Sequence, residues 1–159
     1  MKRIQLAMEN LASAVAYAEE GRRDDALRLI DELAPIRCSS EAKVILAATR
    51  TRFSEPALVY VQGLLERMPC HLLALTSEPR RRTSRRERRR ERKDVLQALE
   101  QLTRPRGMVC VHQTFSGGLC DAIQKYCGLI RDVRFAVIQA QAGTLAHCAL
   151  PIPVFLVQA

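Results

Sequence analysis

Three places in this sequence set a thiol beside an imidazole: Cys70-His71, Cys110-x-His112 and His147-Cys148. Thiolate and imidazole together are what a soft metal takes as ligands, provided that the strand ends carrying them converge. None of the paired short spacings of a zinc site accompanies them, and free cysteine is among the residue types most often buried. Cys110 and His112, two apart on a strand, would share a side with no metal between them. The six cysteines (Cys38, Cys70, Cys110, Cys120, Cys127 and Cys148) contain no CxxC pair and no regular spacing, so no disulfide framework is expected and a reducing compartment fits. Cys120 and Cys127, seven apart on a predicted helix, fall on one face and read as core or subunit contact. Ser116 lies in Ser-Gly-Gly, which is not a G-x-S-x-G elbow, and the histidines have no evident acid or nucleophile partners. The expectation is therefore a non-enzymatic chain with no metal site.

Charge is the second source of chemistry. The chain of 159 residues carries a net charge of +8, but residues 80–93 (RRRTSRRERRRERK) hold ten of the 25 basic residues and two of the 17 acidic ones. The rest of the chain has 15 of each sign, so the basicity belongs to one segment and not to a charged face of the whole fold. Arg80, Arg81, Arg82, Arg85, Arg86, Arg88, Arg89, Arg90, Arg92 and Lys93 would bind nucleic acid or another polyanion by counterion release and by forking onto phosphate oxygens. The run has no aromatic residue for stacking bases, which argues against sequence-specific recognition of single strands. The plainer expectation is a mobile, solvated loop or insertion whose charge prevents self-association.

The elements that would position these residues follow from apolar periodicity. Ile4, Met8, Leu11, Val15 and Ala18 keep helical spacing, Gly21 is placed to stop that helix, and Ala26, Leu27, Ile30 and Leu33 form a second stripe ended by Pro35. Within this helical hairpin, residues 1–38, the stretch AYAEEGRRDDALRLIDEL (16–33) resembles one unit of a tetratricopeptide repeat. One such unit cannot bury its own face, so it must dock on the main domain or on another subunit. From Lys43 onward short aliphatic runs alternate with amphipathic segments: VILAA (44–48), HLLAL (71–75), MVCVH (108–112), FAVI (135–138) and PVFLV (153–157). Ser54 and Pro56 open a helix after the first run, Val95 to Leu102 form the next helix, and the loop Ser116-Gly117-Gly118 opens another. Residues 142–150 leave little room for a helix before the last run. Five such strands with right-handed crossovers predict a doubly wound, open parallel sheet over residues 41–159. The longest apolar stretch, Cys148 to Val157, is short and carries Pro151 and Pro153, so no membrane insertion is expected. Gln5, Glu9 and Asn10 interrupt what would have to be the apolar core of a signal peptide, so a cytoplasmic protein is expected.

The run KVILAATRTRFSEPALVYVQGLLERMPCHLLALTSEP (43–79), followed by a third strand, a glycine loop, a helix with Ala122-Ile123, a fourth strand and PIPVFLV, resembles the universal stress proteins. The resemblance covers residues 41–159 and rests on pattern and order. It implies a five-stranded sheet in the order 3-2-1-4-5 and a homodimer paired through the last strand, Pro153 to Val157.

ATP-binding members of that family have an Asp just after the first strand and a loop of the form G-x2-G-x9-G-[S/T] after the fourth. Here Arg50 takes the Asp position, and QAQAGTLAH keeps only Gly143-Thr144 as a counterpart of the closing pair. Glycines in such a loop let backbone N–H groups approach phosphates, and without them most of those donors vanish. No strong ATP site is expected, and no cofactor. Thr49, Arg50, Gly143 and Thr144, with Arg52 nearby, would form a residual anion or nucleotide pocket at the topological switch point, or else stand as solvated loop residues. The sequence thus points to a regulatory or binding protein with a degraded nucleotide site, acting on a protein partner. The alternatives are an adenine-nucleotide-binding switch and a non-specific polyanion binder.

Overall fold

The computed structural model describes residues 23–37, 39–78, 83–141, 143–145 and 147–158. The first half of the expected N-terminal hairpin, and Arg80 to Arg82, lie outside the described residues. β1 (Lys43–Ala48), β2 (His71–Ser77), β3 (Cys110–Phe115), β4 (Val133–Gln139) and β5 (Val154–Val157) form one sheet in the order β3-β2-β1-β4-β5. All four pairings are parallel, and β1 lies at the centre with Ile45 opposite Leu73 on one side and Ala136 on the other. The continuous aliphatic runs are explained by that position, because β1 is buried along its whole length.

The period of two divides the strands between two cores. Ile45, Ala47, Leu73, Leu75, Ala136 and Ile138 face one side, against α1 (Arg23–Arg37) and α4 (Leu119–Leu129). Val44, Leu46, Leu72, Ala74 and Val137 face the other, against α2 (Glu55–Arg67) and α3 (Arg85–Thr103). Rightward and leftward crossovers therefore place helices on both faces, the doubly wound arrangement read from the sequence.

α1 differs from its expectation at its end and takes one of the two docking modes left open. The helix runs past Pro35 to Arg37, because Leu33 and Ile36, both fully buried, anchor its last turn. It also packs in cis: Leu33 and Ile36 belong to the core of the α/β domain, and the Gln113 side chain on β3 donates to Glu32 at 2.7 Å.

The larger correction concerns the arginine run. Residues 85–93 are the first half of α3, not a loop or insertion, and the helix starts ten residues before Val95, its first buried residue. A capping box starts it: the Ser84 hydroxyl accepts from the Glu87 N–H at 3.2 Å, while the Glu87 carboxylate accepts from the Ser84 N–H at 2.8 Å. Arginine is a good helix former, so the overhanging turns need no core beneath them once capped. Replacing Ser84 with alanine should cost roughly 1 kcal/mol in chemical denaturation and fray the arginine-bearing turns, read as lost helical circular dichroism.

Between β4 and β5 the described residues contain turns and no helix. Leu145, Leu150 and Ile152 cover the α1/α4 face there, and Gln124 on α4 donates to the Ala149 carbonyl at 2.9 Å.

Candidate functional site

The switch point lies between the carboxyl ends of β1 and β4, where the chain leaves in opposite directions. Gln139, the last residue of β4 and only 3% exposed, spans it twice. Its carbonyl accepts from the Thr49 N–H at 3.4 Å, and its side-chain Oε1 accepts from the Ser54 N–H at 2.6 Å. Ser54 is the N-cap of α2, with its hydroxyl accepting from the Ala57 N–H at 3.4 Å and Pro56 in the first turn. An amide at the mouth of a helix is the donor an anion would use. Here the chain's own carboxamide has taken that donor.

Of the residues expected around this point, Thr49 and Arg50 stay beside it and are also tied to β2, whereas Arg52 turns away. The Arg50 carbonyl accepts from the Ser77 N–H at 3.1 Å, and the Ser77 hydroxyl donates to the Thr49 carbonyl at 3.1 Å, so both residues are tied to the end of β2. Arg52 turns to α3, with Nη2 lying 3.7 Å from Asp94 and 4.0 Å from Glu91. Gly143, at φ 91°, makes the left-handed bend that lets the chain fold back. Both the N–H and the hydroxyl of Thr144 then donate to the Gln141 carbonyl, at 3.2 and 2.8 Å. The Gly-Thr pair thus spends its Thr144 donors on its own turn.

The thiol–imidazole pairs resolve into different environments. His71 is held at both ring nitrogens: Nδ1 accepts from the Val109 N–H at 3.2 Å, which leaves the proton on Nε2, 2.8 Å from Ser39 Oγ and 3.3 Å from Glu41. Cys70 beside it is fully buried. Burial pushes the Cys110 thiol up to about 12, with Glu100 adding to the effect, so it stays protonated and is a poor ligand. Among the described residues no group of three or more His, Cys, Asp or Glu side chains could hold a metal ion.

His112 has no such complete set of partners. Its Nε2 shares a 2.8 Å hydrogen bond with the Thr76 hydroxyl, whereas Nδ1 is buried with no partner. Burial holds its pKa down at about 4, and the nearby Arg92 charge adds to the depression, so the ring is neutral at pH 7. It lines a cavity of about 300 Å³ between the ends of β2 and β3 and the overhanging turns of α3. Arg88 and Arg92, read from sequence only as part of a polyanion-binding run, reach into that cavity. Sequence reading weighed His112 only as a metal ligand beside Cys110; its further signal was a polar side chain on the same strand face as Ala74 and Leu72.

No family model and no curated protein matches this chain. Among solved structures, it is similar to a universal stress protein from Archaeoglobus fulgidus, with a TM-score of 0.51 and 16% identity over 72% of this chain and 92% of that one. The fold is the one universal stress proteins have. A second similar structure is a universal stress protein family protein from Arabidopsis thaliana, solved with AMP bound, with a TM-score of 0.49 and 17% identity over 74% of this chain and 91% of that one.

Two further features bear on partners. Cys120, in the first turn of α4, is joined by a disulfide to Cys148 in the β4–β5 connection, with the two Cα atoms 5.8 Å apart. This corrects the expectation of uncrosslinked cysteines: residues 28 apart in sequence meet because the fold lays that connection on the start of α4. Cys127 is free and packs against the core. At the sheet edge, Phe155 and Leu156 on β5 are 44% and 55% exposed, and Phe155 packs edge-on against Phe135 at 5.3 Å. No helix among the described residues is long and apolar enough to cross a membrane.

Proposed function

We propose that this chain is a non-catalytic binding protein on a universal stress protein scaffold whose nucleotide cleft is closed from within. The observation that carries the reading is Gln139: its carboxamide satisfies the Ser54 amide and fills the span between β1 and β4. Arg50 stands where a carboxylate would receive a nucleoside hydroxyl, and Thr144 has its donors turned inward. Calorimetry with ATP and magnesium tests it. No saturable heat is expected at micromolar nucleotide, and saturable micromolar binding would overturn it.

Contact with a second copy is the mode of action we propose. β5 pairs with β4 on one side only, and its other edge offers unpaired backbone groups beside exposed Phe155 and Leu156. Light scattering after size exclusion should give a dimer for the full chain and a monomer for Leu156→Lys. A wild-type monomer at high concentration contradicts this. We keep the cytoplasmic placement read from Gln5, Glu9, Asn10 and the cysteine spacing, with the Cys120–Cys148 disulfide as the one feature that weighs towards an oxidising compartment.

A second reading, polyanion binding, is favoured by the helical order of residues 85–93. Arg86, Arg89, Arg90 and Lys93 stand exposed on a capped helix, a pre-formed basic ridge instead of a loose tail. Affinity for duplex DNA should then fall steeply with salt and vanish when those four residues become glutamine.

A further inference from the structure

The cavity beneath the overhang of α3 adjoins the switch point through Thr51 and Ser77, and its lining has a consistent chemistry. Arg88 and Arg92 lie one turn apart on the same helix face, about 6 Å along the axis, so their guanidinium forks can converge on one oxyanion. The overhang has no core to cover, since the first buried residue of α3 is Val95. Glu91, which also lines the cavity, faces Arg52 at 4.0 Å, so its charge is offset there and does not cancel the arginines. Glu78 is the other carboxylate of the lining.

The floor is polar and nearly closed to water. His112 is 8% exposed, and its Nδ1 is a buried hydrogen-bonding atom left without a partner. Such orphans are rare in native interiors, and this one sits behind the ring face that lines the cavity. Thr114 adds a hydroxyl beside it. Among the described residues the lining holds no Phe, Tyr or Trp ring, which leaves a base only the buried imidazole of His112, and about 300 Å³ is at the small end for small-molecule sites.

We infer that this cavity binds a small phosphorylated polyol, with the phosphate forked by Arg88 and Arg92 and the hydroxyls met by Glu78 and Thr114 above the His112 ring. The two arginines supply charge without a metal. The Glu78 carboxylate accepts from hydroxyl groups, and the Thr114 hydroxyl can donate to them or accept from them. The contact set takes no residue from the β4–β5 connection and lies on the β2–β3 side of the nucleotide cleft.

Calorimetric titration of the full chain with glycerol 3-phosphate, inorganic phosphate and glycerol tests the inference. Saturable one-to-one binding is expected for glycerol 3-phosphate, weaker binding for phosphate and none for glycerol. The double variant Arg88→Gln/Arg92→Gln should lose roughly tenfold or more in affinity, while Arg67→Gln/Arg104→Gln, on exposed positions outside both the cavity lining and the arginine run, should be unchanged. In the wild-type protein the ring nitrogen signals of His112 should shift with the same saturation curve, a readout that needs no variant at the buried position. Absence of saturable binding overturns the inference. So does an equal loss in both double variants, which would mean diffuse attraction to a basic surface, or a His112 signal that does not move.

Discussion

Truncating Ile45 to alanine should destabilise the protein by roughly 2–5 kcal/mol, the range for removing three buried carbons from a packed core. Ile45 is fully buried on the central strand, with Leu73 and Ala136 opposite it on the two neighbouring strands. Its side chain belongs to the cluster that holds α1 and α4, so a cavity there loosens both helices while β1 itself stays paired. β1 also delivers Thr49 and Arg50 to the switch point, and damage at Ile45 therefore reaches the site through the strand. Chemical denaturation monitored by circular dichroism should show a lower midpoint with an unchanged slope. A loss under about 1 kcal/mol would mean that the site collapses to fill the space.

Acidification gives the second large effect. His112 titrates at about 4 in the folded chain against an ordinary 6.5. Between those values the unfolded chain takes up a proton that the folded chain refuses, so folding stability falls as pH drops from about 6.5 towards about 4. The displacement corresponds to roughly 3 kcal/mol at its full extent. Arg88 and Arg92 from α3 oppose protonation, while Glu78 and Glu91 favour it from the lips of the cavity. Around the edge of β3, Glu32 and Lys125 face the same ring with opposite signs. Denaturation midpoints across that pH window should fall steadily for the wild type and much less for His112→Asn. Equal slopes in the two proteins would assign the acid sensitivity to other groups.

Much of the fold was legible because its physics is local. Runs such as Val44 to Ala48 and Leu72 to Leu75 are aliphatic on both faces, which only a strand covered on both sides requires, and Ser54 with Pro56 announces a helix start. The start of α3 was misread although its signal was present: Ser84-x-x-Glu87 is a capping box, but it precedes charges and not an apolar run, so periodicity gave it no weight. Pro35 carried the opposite error, a breaker overridden by the burial of Leu33 and Ile36. The site was less legible, since it depends on distant meetings. Gln139 and Ser54 are 85 residues apart, and nothing in either residue alone says that one closes the other's amide. The Cys120–Cys148 link was hidden for the same reason.

The closure of the cleft by Gln139 is most directly open to an amide-resolved NMR titration of the full chain with AMP. The Ser54 and Thr49 N–H signals, each donating to Gln139, should keep their positions up to millimolar nucleotide. Saturable shifts concentrated on Ser54, Thr49, Gly143 and Thr144 would show a nucleotide displacing the carboxamide, and the cleft would then be a working site.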